Sequence, residues 1–452
     1  LDWILEATLN YNRTFGDHGI NILGGYSMQE KVYDNSSIGA RNFVDDTIRE
    51  LSAHGTAPGD SWGDTDKFDW AMMSVFGRLV YSWKDRYTFT GSLRGDGSSR
   101  FGKDNRWGMF PSVALGWNIS NEDFWTNHIG ENFGAKLRVS WGISGNNNIG
   151  NYEHVGYMSD LGGYVLGGQI VPTRYPSAFV DNLLGWEKTD QYNVGMDLSF
   201  LRNRITLSAN YYNSTSNDLL FNKPVSAIAG ATQYKSNLSN AKIRNTGFDI
   251  QVDGRILTGV VNWNIGANLS LNRNKVLSLP DSQSIVSIGE RSAISHITMV
   301  GKPIGSFYGL NSLGVISEEE YQRILVDKQH IGEEGYQLTG PAVWNYENVQ
   351  PGDAKWKDVN NDGKITDDDR EILGDNYPDF TYGFHIDLNY KWFDFNVLFQ
   401  GVQGNDIFNN FRQVTHSLYN DYNTTTHALD RWTGPGSTNK NFRSSTSDPN
   451  NN

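Results

Sequence analysis

The stretch DVNNDGKITDDD, Asp358 to Asp369, places side-chain oxygens at positions one, three, five and twelve (Asp358, Asn360, Asp362 and Asp369) and a glycine, Gly363, at position six. Calcium takes roughly six to eight oxygen ligands, and a glycine there lets the chain turn sharply around the ion. The expected ligands are Asp358, Asn360, Asp362, the Lys364 carbonyl and Asp369, with Thr366 reaching the ion through water. Two departures argue against a calcium sensor. Position twelve is Asp instead of the longer, bidentate Glu, and VQPGDAKW in front is no entering helix, although DDDREIL is compatible with a short exiting one. A bound cation would stiffen a long loop by offsetting part of its ordering entropy. A metal-free Asn/Gly turn with solvated carboxylates is the alternative.

Other motifs carry less. GDSWG (59–63) matches the nucleophile-elbow spacing around Ser61, but SAHGTAP ahead of it is loop composition, where an acyl-transfer site needs an apolar strand. RGD (94–96) reads as the end of a strand, with Gly95, Asp96 and Gly97 turning it into a loop, in preference to an adhesion motif. The nine histidines show no two-histidine zinc spacing, and the acidic run SEEE (317–320) reads as solvated loop. Trp344, Tyr346 and Trp356 suit stacking on sugar rings and equally suit packing within their own loop. No catalytic residues are assigned, and the chain is not expected to be an enzyme.

The frame around these residues is set by composition and periodicity. The 452 residues include 48 Gly, 22 Tyr, 22 Phe and 14 Trp at an overall hydrophobic content of 38%. Such a mixture suits many strands with one greasy and one wet face. No apolar run approaches the ~18 residues of a membrane helix, which leaves strand barrels open. With no cysteine there are no disulfides or thiolate sites, and a net charge of −13 without a basic stripe excludes nucleic acid as a partner. LDWILEATLNYN has neither a basic n-region nor a small-residue cleavage site, so the sequence is expected to be either cytoplasmic or a fragment.

Strict alternation is the dominant signal. Tyr192, Val194, Met196, Leu198 and Phe200 are large and apolar against Asn193, Gly195, Asp197 and Ser199, and after LRNR the pattern resumes with Ile205, Leu207, Ala209 and Tyr211. This predicts a hairpin. About fourteen such strands are expected, many near the ~9–11 residues that cross a bilayer. Short links at 84–86, 201–204, 254–261, 301–303 and 391–394, and a medium one at 120–134, alternate with long polar excursions at 32–70, 95–108, 144–185, 214–243, 274–293 and 311–380. Outer-membrane barrels show this asymmetry, with tight periplasmic turns and large extracellular loops. The alternative, a soluble β-sandwich, would fill its core with Asn and Asp. Trp83 and Tyr87, and Tyr390, Trp392 and Phe393, flank short turns as an interfacial girdle would.

The stretches 76–124, 137–150, 184–220, 301–316 and 351–409, among them SLRGDGSSRFGKDNRWGMFPSVALGW, LRVSWGISGNNNIG and PGDAKWKDVNNDGKITDDDREILGDNYPDFTYGF, are similar to the SusC/RagA family of TonB-dependent outer-membrane receptors. The resemblance implies an all-β, transmembrane antiparallel β-barrel, part of a 22-stranded wall, in the Gram-negative outer membrane. It further implies an amino-terminal plug, energy relayed by TonB through that plug, and a SusD-like surface lipoprotein as lid for import of glycans or peptides. No plug or TonB box is expected within residues 1–452, and the closing strands are expected beyond STSDPNNN. Two unpaired strand edges should prevent such a piece from inserting alone, given the cost of unmet backbone groups in lipid. The loop 311–380 is then extracellular, and its 358–369 segment resembles an EF-hand or dockerin-type calcium loop. An outer-membrane adhesin without active transport is the second functional reading.

Overall fold

The computed structural model describes residues 1–445 except 44, 46, 49, 56, 131, 157, 177–178, 227, 229–232, 281–283, 289–293, 345–348, 417, 419–422 and 439. The chain divides into two compact units, Leu1–Ser270 with Tyr382–Gln400, and Leu271–Thr381 with Gly401–Asn452.

The first unit is built on a twelve-stranded sheet. Its early strands are β1 (Asp2–Phe15), β2 (His18–Ala40), β3 (Ser61–Trp83), β4 (Tyr87–Ser98), β5 (Trp107–Asn118) and, after the short helix α1 (Asp123–His128), β6 (Phe133–Asn146). A separate hairpin, β7 (Met158–Leu166) and β8 (Gln169–Pro176), precedes β9 (Glu187–Phe200), β10 (Ile205–Pro224), β11 (Gln233–Leu257) and β12 (Val261–Ser278). Each strand pairs with its sequence neighbours, β6 with β9 across the excursion, and the pairings from β1 to β11 are antiparallel. The expected hairpin is present, with Phe200 opposite Ile205 and Val194 opposite Tyr211.

The alternation sorts side chains in the sense opposite to a soluble protein. On β9 the apolar row is the open one, with Tyr192 56%, Val194 46% and Met196 40% exposed, whereas Asn193 and Asp197 are half-buried and Gly195 is buried. Neighbouring strands repeat this through Val75, Leu79, Leu93, Leu115, Val139 and Phe248, all exposed. Apolar side chains in water forfeit about 25 cal/mol per Å². A continuous apolar row is therefore stable against lipid and not against water. Among the described residues no helix is long and apolar enough to cross a membrane.

Several strands outrun the alternation. The stretches 32–40 and 61–70, expected as loop, continue β2 and β3 as a ladder, with Asn35 opposite Asp66 and Ser36 opposite Thr65. Twenty-three residues at ~3.4 Å each span about 78 Å, far more than a ~25 Å apolar band requires. Beyond that band both faces are wet, so polar residues occupy both and the hydropathy signal fades. RGD is likewise strand: Gly95 and Gly97 lie opposite Val75 and Met73 in β3.

The second unit holds smaller sheets. β13 (Ser284–Ile288), β14 (Ile294–Met299), β15 (Ser306–Gly309) and β20 (Glu371–Gly374) form one of four strands. β16 (Ser312–Val315) pairs with β18 (Ala354–Trp356), and β17 (Val343–Trp344) pairs in parallel with β19 (Lys364–Ile365). The short link 301–303 therefore joins β14 to β15 in a local sheet and is not one of the turns of the large sheet. Helix α2 (Glu318–Gln329) contributes Ile324 to a buried cluster with Ile316, Val349 and Ile365, and α3 (Asn410–Thr415) follows the last strands, β21 (Phe380–Tyr390) and β22 (Phe393–Gln403).

Because the large sheet is a meander, its connections alternate between two ends. The links 16–17, 84–86, 119–132, 201–204, 258–260 and 391–392 lie at one end; 41–60, 99–106, 147–186 and 225–232 lie at the other, and the excursion 279–379 separates β12 from β21 in sequence. The acidic loop belongs to the last and longest excursion.

Candidate functional sites

Polar chemistry gathers first on the large sheet. On the polar row of β6, β9 and β10, Arg138 donates to both oxygens of Asp197, from Nε at 2.7 Å and Nη2 at 2.8 Å. Nη2 also reaches Asn210 Oδ1 at 3.0 Å, and the Ser208 hydroxyl donates to Asp197 at 2.8 Å. Gly195 makes room for this arrangement, since a Cβ there would lie 2.5 Å from Asn210 Oδ1 and 3.0 Å from Arg138 Cζ. The pair is about two-fifths exposed, so its contribution to stability is roughly 0–1 kcal/mol. Its value is to hold both charges fixed on a wet surface. Elsewhere on that row Ser92 and Ser112 share a hydrogen bond of 2.7 Å, and His385 Nε2 stands 3.7 Å from Asp387.

The second place is the 358–369 loop. Asn361 (φ 59°) and Gly363 (φ 77°) take the left-handed turn, and a Cβ on Gly363 would come within 2.4 Å of Leu338. Asp358 Oδ2 accepts from the Gly363 N–H at 3.0 Å, Asn360 Oδ1 from the Asp362 N–H at 3.0 Å, and Asp362 Oδ1 from the Lys364 N–H at 2.8 Å. Asp369 is fully buried and accepts from the Val359 N–H at 2.9 Å and the Thr366 N–H at 2.8 Å, tying the two ends of the loop together. Asp358 Oδ1 is buried with no hydrogen-bond partner. Among the described residues no three His, Cys, Asp or Glu side chains stand close enough to hold a metal ion. Backbone N–H groups engage the acids instead.

The loop is framed differently from the expectation at both flanks. DDDREIL is a 3-10 turn at Asp367–Asp369 followed by β20, not a helix, because β15 recruits the strand by pairing Tyr308 with Ile372. SEEE is not free loop either. Ser317 caps α2, accepting from the Glu320 N–H at 3.1 Å while the Glu320 carboxylate accepts from the Ser317 N–H at 3.1 Å. This reciprocal cap was readable from Ser-x-x-Glu. The second buried anchor was not foreseen. Asp327 is 1% exposed and receives Arg323 at 2.8 Å, the Tyr336 hydroxyl at 2.7 Å and both the hydroxyl and N–H of Thr339.

Trp356 is half-buried and meets Phe442 edge-on at 6.4 Å, so its ring packs within the loop. Tyr346 and the Trp344 side chain lie outside the described residues. At Ser61 a 23-residue strand begins, without the helix that a nucleophile elbow requires. Arg94 and Asp96 of RGD bind each other at 2.7 Å, and Arg94 also donates to Ser74 at 2.8 Å. The motif's two charges therefore satisfy each other in a paired strand.

At the short-link end, Glu122 accepts from the Tyr87 hydroxyl at 2.6 Å, Trp117 Nε1 at 3.0 Å and Arg86 at 3.1 Å. These bonds hold its carboxyl below the usual carboxylate range, the Tyr87 bond contributing most. Trp83, Tyr87 and Trp117 stack in sequence, with centroids 5.7 and 6.5 Å apart.

A family model described as TonB dependent receptor-like, beta-barrel, matches residues 1–293. Among curated proteins, TonB-dependent receptor P3 of Formosa agariphila is 33% identical over 415 residues, 89% of this chain and 39% of that protein. TonB-dependent receptor SusC of Bacteroides thetaiotaomicron is 31% identical over 353 residues, 75% of this chain and 32% of its own. The chain thus spans less than half the length of these relatives. The solved RagAB peptide transporter superposes with a TM-score of 0.77 at 24% identity, covering 98% of this chain and 46% of that one, a likeness of fold.

Proposed function

The chain belongs to the TonB dependent receptor-like, beta-barrel family, and from that premise we propose that it forms wall and outer loops of an outer-membrane receptor importing oligomeric nutrient, glycan or peptide. The observation that carries the reading is the sorting of β9 and its neighbours into an open apolar row and a hydrogen-bonded polar row, which suits a water-filled lumen surrounded by lipid. TonB supplies the energy through a plug of the longer protein, and a SusD-like surface lipoprotein serves as lid. The relative named SusC and the fold likeness to RagAB support that partnership. The 311–380 loop faces the cell exterior in this reading. The internal pairing of Arg94 with Asp96 favours this over adhesion through RGD. Affinity purification of the full-length protein from outer membranes tests the reading: a lipoprotein lid should co-purify, and growth on the imported oligomer should require TonB. Recovery without any such lipoprotein, with growth independent of TonB, contradicts it.

We also propose that calcium stiffens the 358–369 loop. The donors are hard oxygens, and the buried, unpartnered Asp358 Oδ1 is a ready acceptor for a cation. Asp358, Asn360, Asp362, the Lys364 carbonyl and Asp369 would hold it, and its charge would draw the carboxylates away from the N–H groups they now accept from. Calorimetry of the purified protein should give a binding isotherm for calcium that Asp358→Asn weakens at least about tenfold. No heat at millimolar calcium contradicts the proposal.

A further inference from the structure

Next to the stacked aromatics the outward surface of the sheet carries a trough of about 410 Å³. Two ladder rungs create it. One runs Trp83, Tyr87, Trp117, Leu137 and the next Tyr81, Phe89, Leu115, Val139, across β3, β4, β5 and β6. Rings stand tall on the first strands, and the rungs step down to Leu137 and Val139, which are shorter. The floor is nearly all carbon and spans four neighbouring strands, an apolar surface that an acyl chain can cover.

Beside Trp83, one of its lining rings, the surface carries both signs of charge. The 84–86 turn presents Lys84, whose ammonium lies 5.5 Å from the Trp83 ring and 3.9 Å from Asp17. That pair is loose and solvent-open, whereas Arg86 beside it is taken up by Glu122 and Asp123. We infer that the trough is a specific site for one diacyl phospholipid with a zwitterionic phosphoethanolamine headgroup. An acyl chain lies along Leu137 and Val139, Lys84 meets the phosphate, and Asp17 meets the headgroup ammonium. Ordinary annular lipid needs neither a trough nor a matched pair of charges at its end.

The inference rests on the reading that this row faces lipid. Native mass spectrometry of the full-length protein in detergent, titrated with dioleoyl phosphatidylethanolamine, tests it. The wild type should retain one lipid, Val139→Trp should fill the trough and weaken retention about tenfold, and Lys84→Gln should weaken it less. Ile250→Trp, on the same outward face in β11, should leave it unchanged. Equal retention by Val139→Trp, or equal or tighter binding of phosphatidylglycerol or lipid A, overturns the inference. Each of these outcomes, in protein that fractionates with the outer membrane, removes the lipid site alone. Failure to fractionate there removes the receptor reading itself.

Discussion

Val194→Arg, in the middle of the apolar row of β9, is expected to destabilise the membrane-folded protein by about 2–4 kcal/mol, the cost of a cation at a barrel's lipid-facing midplane. Val194 is exposed between Val139 on β6 and Tyr211 on β10, with no acid among these outward neighbours to receive a guanidinium. The adjacent substitution, Asn193→Arg, places the same charge on the hydrogen-bonded row, where Asn193 accepts from Gln191 at 3.2 Å, and should stay within about 0.5 kcal/mol. Folding of the full-length protein into lipid vesicles, followed by denaturant titration, measures both. A soluble sandwich would invert the ranking, because there the polar row would be the packed one.

The second large effect is expected in the second unit. Asp327→Ala should cost about 3–5 kcal/mol, because it leaves Arg323 facing a buried gap and deprives Tyr336 and Thr339 of their acceptor. Hydrogen exchange across residues 318–340 reads this directly, with protection lost there and kept in β9 and β10. Acid should act on the same group. Burial by itself pushes the Asp327 carboxyl up, but the bonds from Tyr336 and Thr339 and the Arg323 charge outweigh it and hold the carboxyl below its ordinary value. A carboxyl lowered by folding stabilises fully above its unfolded pKa, near pH 4, and loses that contribution as pH falls through the lower folded value. Asp327→Asn should therefore flatten the acid limb of this unit's stability below about pH 4. An unchanged acid limb would mean another group controls it.

The sequence made the fold legible where each strand alternates apolar and polar residues. There, period two marks the strand and its two faces, and the 192–211 hairpin followed from it. Legibility failed where that contrast vanished. The ladder from Asn35 to Asp66 has water on both faces, so no alternation marks it. RGD looked like a turn because glycines flank Asp96, yet neighbours on both sides hold it extended. In the acidic loop the turn was legible at Gly363, whose backbone conformation its residue type announces, while Asp358, Asn360, Asp362 and Asp369 accept from backbone N–H groups. The fate of DDDREIL depends on β15, far upstream, where Tyr308 pairs with Ile372, and no local pattern carries that information. Asp327 gave no signal of its own either, since its burial comes from Tyr336 and Thr339, in the irregular segment after α2, folding back over the helix.

Alternate residues of β9 are expected to face different solvents. Residues 1–452 contain no cysteine, so single cysteines at 191, 192, 193, 194 and 196 can each carry a nitroxide without background from this part of the protein. Electron paramagnetic resonance in bilayers then compares collision with oxygen, which concentrates in lipid, and with a water-soluble nickel chelate. Positions 192, 194 and 196 should favour oxygen and 191 and 193 the chelate, in strict period two. Chelate contact at 194 equal to that at 193, or the opposite phase, would contradict the account.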